Sequence, residues 1–516
     1  MKKWKIFFIL FFLGVFVIGS FAFYKRFIVN KNNSIEVVED LSVSIKDSIT
    51  DLVDECEGSW NIIENIKNKF LNLFYSNNEF YLNIFVHGNF NTGLGMLSLS
   101  KVLKDDVKGS EYIKMVRRLR KDPFFYQEQP ILARGLIEIE PTFILKESSE
   151  GFKFAAYPII ASYKQIYDFE KGSKKEINRY YTFGWSGILS QSKRIQEAVR
   201  FYNIICEELE KYKKKGIDAK VRIIAHSHGG NVSMNLGLVH DAMRMLKDKN
   251  FKISGFDLNI NKEMKEYFEQ AIKYIQSLPF KRDAKKQNGL RQYDYLPNKE
   301  LKVEELTILG SPIQAENSFF INSDLFKRSF SIYSEQDIVQ FMDIFTSKQF
   351  SGQRLSFKSD EHFKQKVVQV KIMIDRDMDE LKKPPKKDEW WGKVAFDRVF
   401  AKESKDPTHK DLWFLAWNKE FGQPNFPLKP IPLVVLLPCI VKILEKNPTY
   451  LDVDLNIVFE KDQIRFLLLE HDKAEKIDEI ILPASLIQDI KNKVLPWKPD
   501  ELYKHSSYKR LHTSLH

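Results

Sequence analysis

The chain has 516 residues, enough for two or three domains or for one large domain with insertions. Hydrophobic residues make up 43% and charged residues 29%, which is typical of a globular protein and argues against disorder. The net charge of +11 comes mostly from lysines interleaved with acidic residues, and no nucleic-acid-binding signature accompanies it. We therefore expect no nucleic-acid partner.

The first predicted element is a membrane-associated segment. Three lysines precede an uncharged run from Ile6 to Tyr24, whose 19 residues are just enough to cross a hydrocarbon core of ~30 Å. Ser20 and Ala22 resemble a signal-peptide cleavage site, so a cleaved signal is the alternative. We favour an uncleaved signal anchor within residues 1–28. With the lysines inside, both interpretations place the remainder outside the cytoplasm, either anchored or exported.

The pattern of elements along the rest of the chain predicts an α/β fold. Residues 29–78 repeat apolar positions with a helical period and predict a stalk or packing arm. Short apolar strands then alternate with helical segments, which is typical of a mostly parallel, doubly wound sheet. The strands are predicted at 81–86, 180–185, 221–225, 305–309, 329–333 and 366–374.

The predicted sheet occupies a main domain from residue 79 to 423. Two stretches, 95–178 and 247–302, interrupt the alternation and are expected to be cap insertions. A helix is expected to begin near His409. After a proline-rich stretch, residues 424–516 predict an appended unit of helices and strands, that is, an α+β C-terminal unit.

Ser227 is the strongest candidate for a functional residue. An apolar strand leads into a turn of small residues around this serine, and a helix follows. Such a turn exposes the hydroxyl to a base and aims the amide of His228 at the same place, where it can stabilise an oxyanion. The flanking residues His226 and His228 would point apart, and no nearby carboxylate completes a metal site. We expect neither a metal nor a cofactor.

Five segments together resemble the α/β-hydrolase superfamily, in particular its lipase-like and esterase-like serine hydrolases. Ala225 departs from that family's Gly-x-Ser-x-Gly pattern by replacing the first glycine with the next smallest residue. The order of the segments matches that of the family. They are Phe85 to Phe90, Phe183 to Gly187, Ala225 to Gly230, Leu309 to Pro312 and Tyr333 to Val339.

The resemblance implies a nucleophile elbow at Ser227 and an oxyanion hole around it. One oxyanion donor is the amide of His228. The other matches Asn89, which follows His87 and Gly88 just after the first strand of the domain.

The resemblance also implies a catalytic triad. Its acid follows the nucleophile and a strand, which favours Asp337, with Glu335 and Asp343 as alternatives. Its base follows the last strand of the domain, which favours His409 over His362, because His362 precedes that strand.

These residues predict a hydrolase of carboxylic, lipid-like esters that forms an acyl-enzyme on Ser227. Its partners would be a small-molecule or lipid ester and the membrane, through residues 6–24. The departure at Ala225 leaves open a non-catalytic, membrane-anchored interaction protein on the same fold. Acyl transfer to an acceptor other than water is a further alternative.

Overall fold

A sheet of ten strands forms the centre of the part of the chain that the structure, a computed structural model, describes. All described residues belong to one compact unit, Tyr75–His516. The described ranges are 79–88, 129–144, 154–171, 176–188, 190–248, 262–281, 293–314, 318–337, 366–377, 404–417, 422–471 and 473–498.

Seven neighbouring strands of the sheet are parallel, and antiparallel strands continue it at both edges. The order is β10-β9-β8-β7-β6-β5-β4-β1-β3-β2, with the parallel part running from β8 to β3. The strands are β1 (Glu79–Val86), β2 (Gly135–Ile139), β3 (Glu176–Gly184), β4 (Ala219–His226), β5 (Val303–Leu309), β6 (Phe326–Tyr333), β7 (Val367–Ile374), β8 (Asp452–Phe459), β9 (Gln463–Glu470) and β10 (Lys476–Pro483).

Helices pack in two groups against the sheet. The first group, α1, α5 and α6, shares a core with strand residues such as Ile224. The second group, α2, α3 and α4, packs together, and α2 and α3 contact β4. Because strand side chains alternate between faces, the buried neighbour Ile223 faces away from Ile224. The helices are α1 (Ala156–Lys171), α2 (Gln191–Lys214), α3 (His228–Lys247), α4 (Lys262–Gln276), α5 (Leu437–Lys446) and α6 (Ala484–Val494).

The strand order changes direction at β1. This strand lies between β3 and β4, so the chain leaves β1 toward one side of the sheet and later returns to the other. Connections that diverge in this way leave a gap outside the carboxyl ends of the strands, where α/β proteins bind ligands. The carboxyl ends of β1 and β4 are Val86 and His226, so Ser227 lies at this gap.

The predicted fold needs correction at its C-terminal unit. Strand β8 pairs in parallel with β7, with Leu455 opposite Ile372, and residues of both strands share one core. The strands between 452 and 483 therefore extend the main sheet instead of forming an appended unit. The pattern could not show this because a strand's hydrophobicity does not reveal which edge it pairs with.

The predicted insertions also contribute to the main fold. The stretch 95–178 contains β2, which pairs antiparallel with β3 at the edge of the sheet, and α1, which packs on the core. The stretch 247–302 contains α4, which packs on α3.

The predicted N-terminal membrane helix is the second correction to the fold. Among the helices that the structure describes, none combines the length and the apolar character needed to cross a membrane. Residues 6–24, on which that prediction fell, lie outside the described residues, as does the helical arm at 29–78. The location outside the cytoplasm stays a prediction.

Replacing Leu455 by alanine tests the continuity of the sheet. Leu455 is fully buried on β8, so Leu455→Ala should lower the free energy of unfolding by about 2–5 kcal/mol. The midpoint of the urea titration of Leu455→Ala should move to a lower urea concentration, by the same amount when followed by circular dichroism and by tryptophan fluorescence. Ile481→Ala is the control, because Ile481 on β10 is 52% exposed and should matter little. A separate unfolding transition of residues 424–516 at a lower urea concentration would contradict a continuous sheet.

Candidate active site

Ser227 makes the whole turn between β4 and α3. It has φ 52° and ψ −134°, a backbone conformation that is strained for any residue with a side chain. Its N–H donates to the carbonyl of Leu309 at 3.0 Å, and its own carbonyl accepts from Gly230 at 2.9 Å. These bonds anchor the turn to β5 and to the first turn of α3, so the side chain is held at the edge of the sheet.

Two glycines allow the chain to crowd around this turn. A Cβ on Gly88 would lie 2.7 Å from the Cβ of Ser227, and a Cβ on Gly229 would overlap the carbonyl oxygen of His87. The segment after β1 therefore lies directly against the turn. His87 and Gly88 are therefore neighbours of the serine turn in the folded protein, although they lie far from it in the sequence.

His87 is a fixed part of that segment. Its Nδ1 donates to the carbonyl of Gly88 at 2.5 Å, and its Nε2 accepts from the backbone N–H of Trp185 at 3.2 Å. The indole of Trp185 in turn donates to the carbonyl of His87 at 2.7 Å. These bonds tie the end of β1 to the end of β3 and give His87 a role in shaping the loop.

The structure brings His409 and Asp337 together. The Nδ1 of His409 lies 2.9 Å from Oδ2 of Asp337, which is fully buried four residues beyond the end of β6. The pair sits beside the serine turn: a Cβ on Gly310 would lie 3.3 Å from Nδ1 of His409, and the preceding Leu309 holds Ser227.

His409 is held by turns, and the helix expected to begin there does not form. Residues 409–414 are turns and a bend. The Oδ2 of Asp411 accepts from the N–H and hydroxyl of Thr408, at 3.0 and 2.6 Å, and from the N–H of Gln423 at 2.6 Å. Burial raises the pKa of Asp411. This carboxyl orders the segment around His409, and sequence reasoning missed it.

His226 is a second residue that holds His409 in place. Its ring stacks on Trp413 with centroids 5.3 Å apart, and lies 4.4 Å from the ring of His409. Its Nε2 donates to the carbonyl of His409 at 3.0 Å. Burial lowers the pKa of His226 well below its usual value, and the neighbouring His409 adds to this, so the ring is neutral. From the sequence, His226 stood out only as a possible metal ligand, so its contact with His409 was not predicted.

His228 faces a different set of neighbours. Its Nδ1 lies 3.1 Å from Nη1 of Arg194 and 3.2 Å from Nδ2 of Asn231. Both of these atoms can only donate, so Nδ1 of His228 is the acceptor and carries no proton. As the first residue of α3, His228 also presents one of the N–H groups that no carbonyl within the helix can satisfy.

The described part of the chain does not test three of the other predicted residues. Asn89, His362 and Asp343 lie outside the described residues. Glu335 lies 3.7 Å from Nζ of Lys371 and is therefore engaged in an ion pair.

Comparison with known proteins identifies no family. No protein-family model matches the chain, and no curated protein matches it either. Among solved structures, the chain resembles the Tle1 effector bound to the VgrG spike from the Type 6 secretion system, at 11% identity and a TM-score of 0.18. The match covers 50% of this chain and 46% of that one. A likeness this weak carries no argument about fold or activity.

The neutral state of buried His226 predicts a pH-dependent contribution to stability. In the unfolded chain an imidazole binds a proton near pH 6.5, whereas in the folded protein His226 does so only at much lower pH. Acid below pH 6.5 therefore favours the unfolded state, by up to about 1.4 kcal/mol per pH unit. The stability advantage of the wild type over His226→Gln should shrink as pH falls from 7 to 5, measured by urea titration. A difference independent of pH would contradict this.

Proposed function

We propose that the protein is a serine hydrolase that cleaves carboxylic esters through an acyl-enzyme on Ser227. The observation that carries the proposal is the hydrogen-bonded pair of His409 and Asp337 beside a serine with positive φ. Serine is a poor nucleophile, so it needs a neighbouring base and a buried acid that orients the base. His409 and Asp337 supply such a pair close to the serine turn, and in the reaction the side chain of Ser227 would have to turn to hydrogen-bond with His409.

His409 is the general base in this proposal. Because its Nδ1 is bonded to Asp337, the nitrogen left to take the proton of Ser227 is Nε2. Asp337 keeps the proton of the neutral ring on Nδ1 and stabilises the imidazolium that forms as the serine attacks the acyl carbonyl. His409 then returns the proton to the leaving alcohol. A water molecule activated in the same way releases the acid.

The oxyanion of the tetrahedral intermediate would be held by backbone amides. The N–H of His228 at the start of α3 is one donor, and the positive end of the helix dipole favours the negative charge there. The second proposed donor is the N–H of Asn89, in the segment after Gly88. Loss of one such donor typically costs ~3 kcal/mol of transition-state stabilisation.

Labelling with a fluorophosphonate tests the nucleophile. The probe phosphonylates only activated serines, so the wild type should be labelled and Ser227→Ala should not. Ser233→Ala is the matched control, because this buried serine on α3 donates to the carbonyl of Gly229 and should not react. Absence of labelling in a folded wild type would contradict the proposal and favour the non-catalytic interaction protein.

Turnover of p-nitrophenyl butyrate tests the base and the acid. Asp337→Asn should lower kcat by about 10⁴-fold, because the asparagine favours the wrong tautomer of His409. His409→Ala should lower it at least as much, whereas His362→Ala should retain turnover. The assignment of His409 is wrong if the two histidine variants behave in the opposite way. Formation of an acyl product on an added alcohol in preference to water would instead indicate an acyltransferase.

A further inference from the structure

Arg194 is a buried cation with an unsatisfied side chain. It lies in the first turn of α2 and has no exposed surface. Its Nη1 donates to Nδ1 of His228, but its Nε and Nη2 have no hydrogen-bond partner among the residues that the structure describes. In the part of the chain that the structure describes, no carboxylate accepts from these two atoms. A guanidinium keeps its proton, so a positive charge is buried here, and no carboxylate of the described residues is hydrogen-bonded to it.

Arg200 on the same helix shows what these two nitrogen atoms bind. Its Nε and Nη2 both donate to the carboxylate of Asp294, the second at 3.0 Å. The same pair of atoms is unsatisfied in Arg194. Parallel donation from Nε and Nη2 suits the two oxygens of a carboxylate or a phosphate, which identifies the chemistry of the missing partner.

The surroundings of Arg194 also favour an anion. The residue lies at the positive end of α2, and its guanidinium contacts the first residue of α3, so two helix N-termini add to its charge. Glu197, three residues further along α2, is paired with Arg200 at 3.0 Å. The guanidinium contacts the ring of His228, and His228 directly follows Ser227 in the chain, so Arg194 lies near the end of the serine turn.

We propose that Arg194 binds an anionic group, a phosphate or a carboxylate, of the ester that Ser227 attacks. The inference rests on the proposed function and specifies its substrate class: an ester that carries a negative charge close to the acyl group. The substrate's anion offsets the buried guanidinium, and the fork formed by Nε and Nη2 orients the ester toward Ser227.

Binding is tested without catalysis by calorimetry on Ser227→Ala protein. Inorganic phosphate and glutarate are the probes, and the one that binds more tightly identifies the charged group. Adding Arg194→Met should weaken binding by roughly 10- to 100-fold, the usual loss for a charged hydrogen-bonded pair. Arg328→Gln is the control, because this partly exposed arginine pairs with Glu445 and lies in the amino-terminal half of β6, away from the carboxyl edge of the sheet. Binding of neither probe, or equal binding by Arg194→Met, would overturn the proposal.

Comparing the hydrolysis of a charged ester with that of a neutral one distinguishes binding of the substrate's anion by Arg194 from a general effect of the arginine's charge on catalysis. The ratio of kcat/KM for mono-p-nitrophenyl glutarate to that for its methyl ester should fall roughly 10- to 100-fold in Arg194→Met. An equal loss for both esters would mean that Arg194 acts on the oxyanion, and would contradict the proposal. If the wild type cleaves neither ester, the proposed hydrolase activity fails, and calorimetry still decides the anion site.

Thermal unfolding separates a binding role from a structural one. Replacing an uncompensated buried charge by an apolar residue is neutral or stabilising, so Arg194→Met should keep or raise the melting temperature. Arg200→Met should lower it, because Asp294 loses its partner. A comparable fall in the melting temperature of Arg194→Met, with anion binding unchanged, would mean that Arg194 has only a structural role and would overturn the proposal. If Arg194→Met does not fold, Arg194→Lys keeps the charge but not the fork, and should lose part of the binding.

Discussion

The chain reversal at Ser227 is the constraint on which the candidate site depends. Strand β4 ends at His226 and α3 begins at His228, so a single residue makes the turn and takes a positive φ. Such strain persists only where the surroundings hold it, and here the carbonyl of Leu309 and the close approach of Gly88 do so. The turn places the serine, which is 3% exposed, at the carboxyl ends of β1 and β4, the part of such a sheet where α/β proteins bind ligands.

The rest of the site combines a rigid sheet with a segment that has no regular structure. Asp337 lies just beyond β6 and is buried, so its position follows from the sheet. His409 lies in turns, and a carboxylate, Asp411, and a neutral imidazole, His226, hold these turns in place. Both supports are buried side chains with hydrogen bonds to backbone groups, which fix orientation better than exposed contacts would.

The sequence predicted most strands of the sheet well and the long-range contacts poorly, and the helix expected near His409 was wrong. The strand before Ser227 and the carboxyl-end position of Asp337 follow from hydrophobic runs and turn residues, which are local signals. The pairing of β8 with β7 was missed, because strand pairing depends on chain segments far apart in sequence. The roles of Asp411 and His226 were missed for the same reason, since each acts on a segment that only folding brings near. The unpaired nitrogens of Arg194 leave no trace in the sequence.

Charge distribution gives the site its chemical character: His226 is kept neutral by burial, while Arg194 and the start of α3 make the side of His228 positive. The central claim is covalent catalysis by Ser227, and mass spectrometry tests it most directly. Protein quenched in acid during turnover of a p-nitrophenyl ester should carry one acyl group, on the peptide that contains Ser227. Turnover without an adduct there, or an adduct on another residue, would contradict the account.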